Sequence, residues 1–163
     1  MPKQRIKLYP RSDPVGFAQR ALKNLEIIEH QYDSHRDGHV VTQLILSTLG
    51  LLVYPYHADA FSRFKSWRLG DLQKKGWPAI RQYPSPKQAD NLEQLLHYMR
   101  NAVCHRGVAF LSDTATPDSR EVRDITLEFI NRGNKNPQIN WRMEIDAVDL
   151  RALCVRVFYE IAD

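Results

Sequence analysis

The chain has 163 residues, 43% hydrophobic and 26% charged, with a formal net charge of +4. That length suits a single hydrophobic core, and that composition argues against both a disordered chain and one embedded in a bilayer. The mild excess of Lys and Arg tolerates a polyanionic partner without requiring one.

Residues 1–12 are basic and lack periodicity, which predicts an N-terminal arm ahead of a single domain over 13–163. No apolar core of signal-peptide type follows the first charges. Ser12 or Asp13 can cap a first helix that accepts Pro14 in its opening turn. Ala18, Ala21, Leu25, Ile28 and Tyr32 then recur at helical spacing, and the helix is expected to end near His30. Asp33 to His39 reads as a polar turn. A second helix, Val40 to Tyr54, is apolar nearly all round and is expected to be central and buried. Thr42, Gln43, Ser47 and Thr48 interrupt it, so it is too short and too polar to span a membrane. Pro55 stops it, and a short helix is expected over 57–65.

Residues 66–86 carry Gly70, Gly76, Pro78, Pro84 and Pro86 and read as a long irregular connection. The next helix is expected from Pro86 to His105, with a core stripe of Leu92, Leu95, Leu96, Met99 and Val103, and with Gly107 turning the chain out. Val108 to Leu111 is short and apolar, and a polar loop runs on to Arg120. The period then changes. Ile125, Leu127 and Phe129 alternate on one strand, Trp141, Met143 and Ile145 on another, with the turn-rich Asn131 to Gln138 between them. Asp146 can cap a last helix that buries Val148, Ala152, Val155 and Phe158 or Tyr159. The fold class expected is therefore mainly α, with a β-hairpin before the C-terminal helix.

The chemistry concentrates at Arg100-Asn101-Ala102-Val103-Cys104-His105. Asn101 and His105 lie one helical turn apart and share a face if the helix continues through 105. Gln94, His97 and Tyr98 extend that polar face backwards. An imidazole can exchange protons near neutral pH, and a guanidinium can stabilise charge building on a phosphate. Asn101 can orient a ribose hydroxyl, a phosphate oxygen or the imidazole. Together they suit phosphodiester cleavage in RNA, with the RNA's own 2′-hydroxyl as nucleophile and no metal or cofactor required.

The run HYMRNAVCHRG (97–107), with its Arg-Asn-x-x-x-His at a helix end, resembles the signature of HEPN-domain ribonucleases. The apolar helix and proline stop in LILSTLGLLVYPY (44–56) are similar to those of a HEPN subgroup with a late β-hairpin. The resemblance spans most of 13–162, and only the six-residue motif is sharp. It implies a helical bundle, a homodimer whose two motifs share one composite cleft, and metal-independent RNA cleavage leaving a 2′,3′-cyclic phosphate. It also implies a toxin or defence setting, with an antitoxin protein as a partner. By position it makes Arg100, Asn101 and His105 the catalytic residues. Some toxin relatives carry a modifiable tyrosine two residues after the histidine. This chain has Gly107 there, so that regulation does not transfer.

Other features allow more than one reading. Arg63, Lys65, Arg68, Lys74, Lys75, Arg81 and Lys87, with Trp67, Trp77 and Tyr83 among them, can form an RNA groove ahead of the motif helix. They can equally form a solvated loop whose tryptophans pack on the bundle. Arg106, beside the motif, joins the RNA-binding candidates. His30, Asp33, His35, Asp37 and His39 crowd one turn, match no zinc pattern, and read as solvated. Cys104 and Cys154 lie in apolar stretches without paired spacing, which predicts two buried thiols in a reducing, cytoplasmic setting. The rival to catalysis is a non-catalytic HEPN module that binds RNA or a partner protein.

Overall fold

The computed structural model describes residues 13–35, 40–53, 55, 59–111, 125–133 and 137–163. The basic arm, the centre of the polar turn at 36–39, His57, the loop at 112–124 and the hairpin tip at 134–136 lie outside them.

Helix α1 spans Pro14–His35. The Asp13 carboxylate caps it, accepting from the backbone N–H of Val15 at 2.7 Å. It runs five residues past its expected end, through His35, because no breaker stands before Gly38. Ala18, Leu22 and Leu25 are buried along it. Helix α2 covers Val40–Thr48 and continues as a π-helical turn over Leu49–Val53. The wider turn lets neighbouring Leu51 and Leu52 both reach the core, where each is fully buried. Leu46, by contrast, is 55% exposed, so the segment is central without being buried all round. A Cβ on Gly50 would meet the Ala21 Cβ at 2.6 Å, which shows how closely this turn approaches α1.

The stretch expected to be an irregular connection is more ordered than its Gly and Pro content suggests. A 3₁₀ turn at Ser62–Phe64 precedes it, and it contains helix α3, Leu69–Lys74, and strand β1, Arg81–Gln82. Phe61 and Phe64 are buried, and the Trp67 ring meets Phe64 at 5.0 Å and Trp77 at 6.0 Å. The side chain of Gln82 joins this segment to the sheet. Its oxygen accepts from the Ala89 N–H and from the Trp141 indole, each at 2.8 Å.

Helix α4 spans Leu92–Cys104 and starts six residues later than Pro86. Asn91 sets that start, because its side chain accepts from the Gln94 N–H at 2.9 Å. Leu92, Leu95, Leu96 and Met99 are fully buried, and burial of each contributes roughly 1.5–3 kcal/mol. Strand β2, Val108–Phe110, follows, then β3, Thr126–Arg132, β4, Ile139–Asp146, and helix α5, Ala147–Ala162.

The hairpin expected over 125–145 is present, with Leu127 opposite Ile145 and Phe129 opposite Met143. It forms the centre of a four-stranded antiparallel sheet ordered β1-β4-β3-β2. The apolar run after the motif supplies one edge strand and the segment before α4 supplies the other. Leu127, Phe129, Trp141, Met143 and Ile145 are buried on one face of the sheet. The other face carries charge, with Arg142 between Glu128 and Glu144.

For α5 the expected burial of Val148 is corrected, and of the alternatives Phe158 and Tyr159 it is Phe158 that is buried. Val148 and Tyr159 are about half exposed, and the buried face is Leu150, Leu153, Cys154, Val157, Phe158 and Ile161. That set keeps helical spacing, and it is rotated because the helix leaves β4 directly at Ala147. Asp146 occupies the N-cap position without a side-chain cap bond. Its carboxylate instead accepts from Arg81 and Thr126. Arg151 on α5 grips Glu29 on α1 with two nitrogens, which ties the first helix to the last.

Candidate functional site

The end of α4 is built by its sequence. The His105 N–H bonds to the Asn101 carbonyl at 3.0 Å, so helical pairing reaches the histidine although it already stands at the C-cap. Arg106 follows with φ of +58°, the left-handed conformation that closes many helices. The Gly107 N–H then returns to the Ala102 carbonyl at 2.7 Å. Gly107 is extremely close to β3, where the Ile130 N–H bonds to the Gly107 carbonyl at 2.7 Å. The Asn131 side chain also donates to the Tyr98 carbonyl at 2.9 Å, fixing the hairpin against the middle of α4.

A cleft of about 770 Å³ lies between these elements. Its walls are Lys87, then His97, Tyr98, Asn101, His105, Arg106 and Gly107 from the motif helix and its exit, and Ile130 to Gly133 and Asn140 from the hairpin. Among the described residues three permanent cations and two imidazoles line it, and no carboxylate does. Such a surface attracts anions.

Asn101 and His105 thus share one cleft, as their spacing predicts. Arg100 is not on its wall. It is half-buried, and its Nη1 donates to the Asn101 side-chain oxygen at 2.6 Å. The other end of that amide lies 3.1 Å from His97 Nε2. Burial, more than the nearby Arg100 charge, holds the His97 pKa below the ordinary imidazole value, against a weaker pull upward from Glu93.

Of the other RNA-binding candidates, Arg106 and Lys87 reach the cleft. Arg63, Lys65, Arg68, Lys74, Lys75 and Arg81 are exposed and do not line it. Arg81 pairs with Asp146 at 2.9 Å. The aromatic residues of that segment face inward or stack on the protein's own cations. Trp67 and Trp77 pack on the core, Arg156 lies over Trp77, and Arg142 lies 4.5 Å over Tyr83. Lys87 alone of the run lines the cleft. The hairpin contributors Asn131, Arg132, Gly133 and Asn140 carry no motif. Turn-rich composition marks a reversal and says nothing about what the adjoining strand ends face.

Cys104 is exposed, which corrects the expectation of a buried thiol. It falls on the last turn of α4. Cys154 is buried, and desolvation pushes its pKa up to about 12. Among the described residues no three His, Cys, Asp or Glu side chains gather as a metal site, and no described helix is long and apolar enough to cross a membrane. Of the crowded turn, Asp33, His35, Asp37 and His39 fall outside the described side chains.

A family model described as HEPN pEK499 p136 matches residues 2–163. The chain belongs to this HEPN family. No match was found among the curated proteins or among the solved structures. The HEPN assignment agrees with the helical fold, while the late hairpin, widened to a four-stranded sheet, supplies half of the cleft.

Proposed function

We propose that this HEPN protein is a metal-independent endoribonuclease that cleaves RNA through attack of the 2′-hydroxyl. The observation that carries the reading is that Asn101 and His105 line one cleft with Lys87, Arg106 and Arg132 and, among the described residues, with no carboxylate on its wall. Metal-dependent nucleases hold their ions chiefly through carboxylates, so this donor set fits general acid–base chemistry better.

In this reading His105 takes the proton from the 2′-hydroxyl, which then attacks phosphorus. The P–O5′ bond breaks, the 5′-oxygen leaves with a proton taken from water, and the product keeps a 2′,3′-cyclic phosphate. Arg100, one hydrogen bond from the cleft through Asn101, stabilises the charge that builds on the phosphoryl oxygens. Asn101 positions the reacting groups. A homodimer with a composite cleft, and a toxin or defence role restrained by an antitoxin, belong to the same proposal. Arg100 standing just off the wall of a single chain's cleft supports completion by a second copy.

The test is cleavage of single-stranded and structured RNA in EDTA by the wild-type chain beside His105→Ala. Loss of the base lowers the rate by about 10²–10⁴-fold. Equal cleavage by both proteins rejects the assignment. Binding that survives with no cleavage in either favours the non-catalytic module.

A further inference from the structure

Arginine has no hydrogen-bond acceptor, since every polar hydrogen of its guanidinium only donates. That property orients three side chains on α4. Arg100 Nη1 lies 2.6 Å from one end of the Asn101 amide, so that end must be the carbonyl oxygen. The other end is then the NH₂ group, and it stands 3.1 Å from His97 Nε2. An NH₂ group cannot accept. His97 Nε2 must therefore carry a lone pair, which makes the ring neutral with its proton on Nδ1.

We propose that His97 is a positioning residue for this site: by accepting from Asn101 as a neutral imidazole, it locks the amide with its oxygen toward Arg100 and so holds the guanidinium at the edge of the cleft. The consequence for catalysis rests on the ribonuclease reading above, while the lock itself rests on the geometry alone.

The surroundings of His97 favour the neutral ring. Burial disfavours the cation most, Arg100 on the same helix and Lys87 from the preceding segment oppose it, and Glu93 favours it. Arg106 and the titratable His105 at the end of α4, and Arg132 on β3, line the same cleft. The Tyr98 ring lies 5.7 Å from that of His97. When His97 gains a proton, Nε2–H faces the Asn101 NH₂ and two donors oppose each other. Rotating the amide relieves that clash only by turning its NH₂ toward Arg100, another donor. One of the two bonds is lost in either case, and the guanidinium is released.

Imidazole ¹⁵N NMR on the full chain reads the lock directly. At neutral pH His97 shows the Nδ1–H tautomer, and it titrates with a midpoint below 6.5. Asn101→Ala removes the bond that favours the neutral ring, so the midpoint rises. An Nε2–H tautomer, or a wild-type midpoint at or above 6.5, overturns the proposal. Activity gives the second reading. His97→Leu lowers kcat by about tenfold or more, whereas His97→Gln, which keeps an acceptor near the Nε2 position, stays within about threefold of wild type. On the acid side log kcat falls more steeply in the wild type than in His97→Gln over the range where His97 gains its proton, because protonation there breaks the lock as His97→Leu does. In His97→Gln the slope is about one. Equal losses in both variants, or an unchanged slope, overturn the positioning role. Equal cleavage by wild type and His105→Ala would reject the ribonuclease reading, and the tautomer and midpoint would still decide the lock.

Discussion

A Cβ placed on Gly107 would stand 2.0 Å from the Ile130 carbonyl oxygen. The glycine is required there by this approach to β3 and not by a left-handed backbone, which belongs to its neighbour Arg106. Through this contact the end of the motif helix docks on the hairpin, and His105 and Arg106 are set against the strand that forms the opposite wall.

Gly107→Ala therefore forces two backbone segments apart, because a carbonyl in a sheet cannot swing aside as a flexible side chain can. The expected destabilisation is about 2–3 kcal/mol. Thermal unfolding followed by circular dichroism should show Tm lowered by roughly 4–12 °C. A Tm within about a degree of wild type would contradict the close approach.

Arg106 makes the opposite case. A non-glycine residue with φ of +58° costs about 1–2 kcal/mol, and a helix-closing position of this kind ordinarily takes Gly. Here that position carries an exposed cation on the cleft wall. Strain kept at such a place is expected where the side chain has work to do. Arg106→Gly should raise Tm by roughly 1–3 °C, since part of the relief is offset by the greater freedom of the unfolded chain. The same variant should bind RNA several-fold more weakly. Arg106→Ala should weaken binding equally with no gain in Tm, and undiminished RNA binding in both would remove Arg106 from the site.

These two neighbours show what the sequence could and could not reveal. Gly107 was legible as an exit signal, yet the residue that takes the turn conformation is an arginine, and nothing in the letters assigns that φ. The pairing of Asn101 with His105 was legible because a helical turn is a local rule. The hairpin was legible from alternation. Its extension into four strands was not, because Arg81–Gln82 and Val108–Phe110 are too short to show a period. For α5 the apolar residues crowd nearly every position, so periodicity alone left the rotation ambiguous, and the direct exit from β4 decided it. Asp146 is a further instance. Its place before a helix reads as a cap, but a bidentate Arg81 across the sheet competes better for the carboxylate than the backbone does.

That competition has a pH signature. The hydrogen bond from Arg81 chiefly, and that from Thr126, hold the Asp146 carboxyl below its ordinary value of 3.8. A group depressed in the folded state stabilises it above the unfolded pKa, and that contribution fades as pH falls through the folded value. Stability should therefore drop below about pH 4 more steeply in the wild type than in Arg81→Met. Both side chains are well exposed, so the two proteins should differ little at neutral pH and less still at high salt. Denaturant midpoints measured from pH 7 down to pH 2 check this. Parallel curves would show that the pair carries no linkage.

The distribution of positive charge supplies the remaining prediction, because it separates two places where RNA could lie. Lys87, Arg106 and Arg132 line the cleft, whereas Arg63, Lys65, Arg68, Lys74 and Lys75 are exposed and lie off its wall. Each phosphate neutralised on a single strand releases condensed counterions, and adds about 0.7 to the steepness with which log affinity falls against log salt. If the strand occupies the cleft, Lys87→Ala and Arg132→Ala should each lower that steepness by about 0.7 and weaken binding most at low salt. Lys74→Ala and Arg63→Ala should leave it unchanged. The reverse pattern would move the strand onto the basic segment before α4, where the aromatic rings are already engaged with one another and with Arg142 and Arg156. That engagement leaves little free aromatic surface on which bases could stack, and it is the physical reason to expect the cleft residues, not the longer basic run, to set the salt dependence.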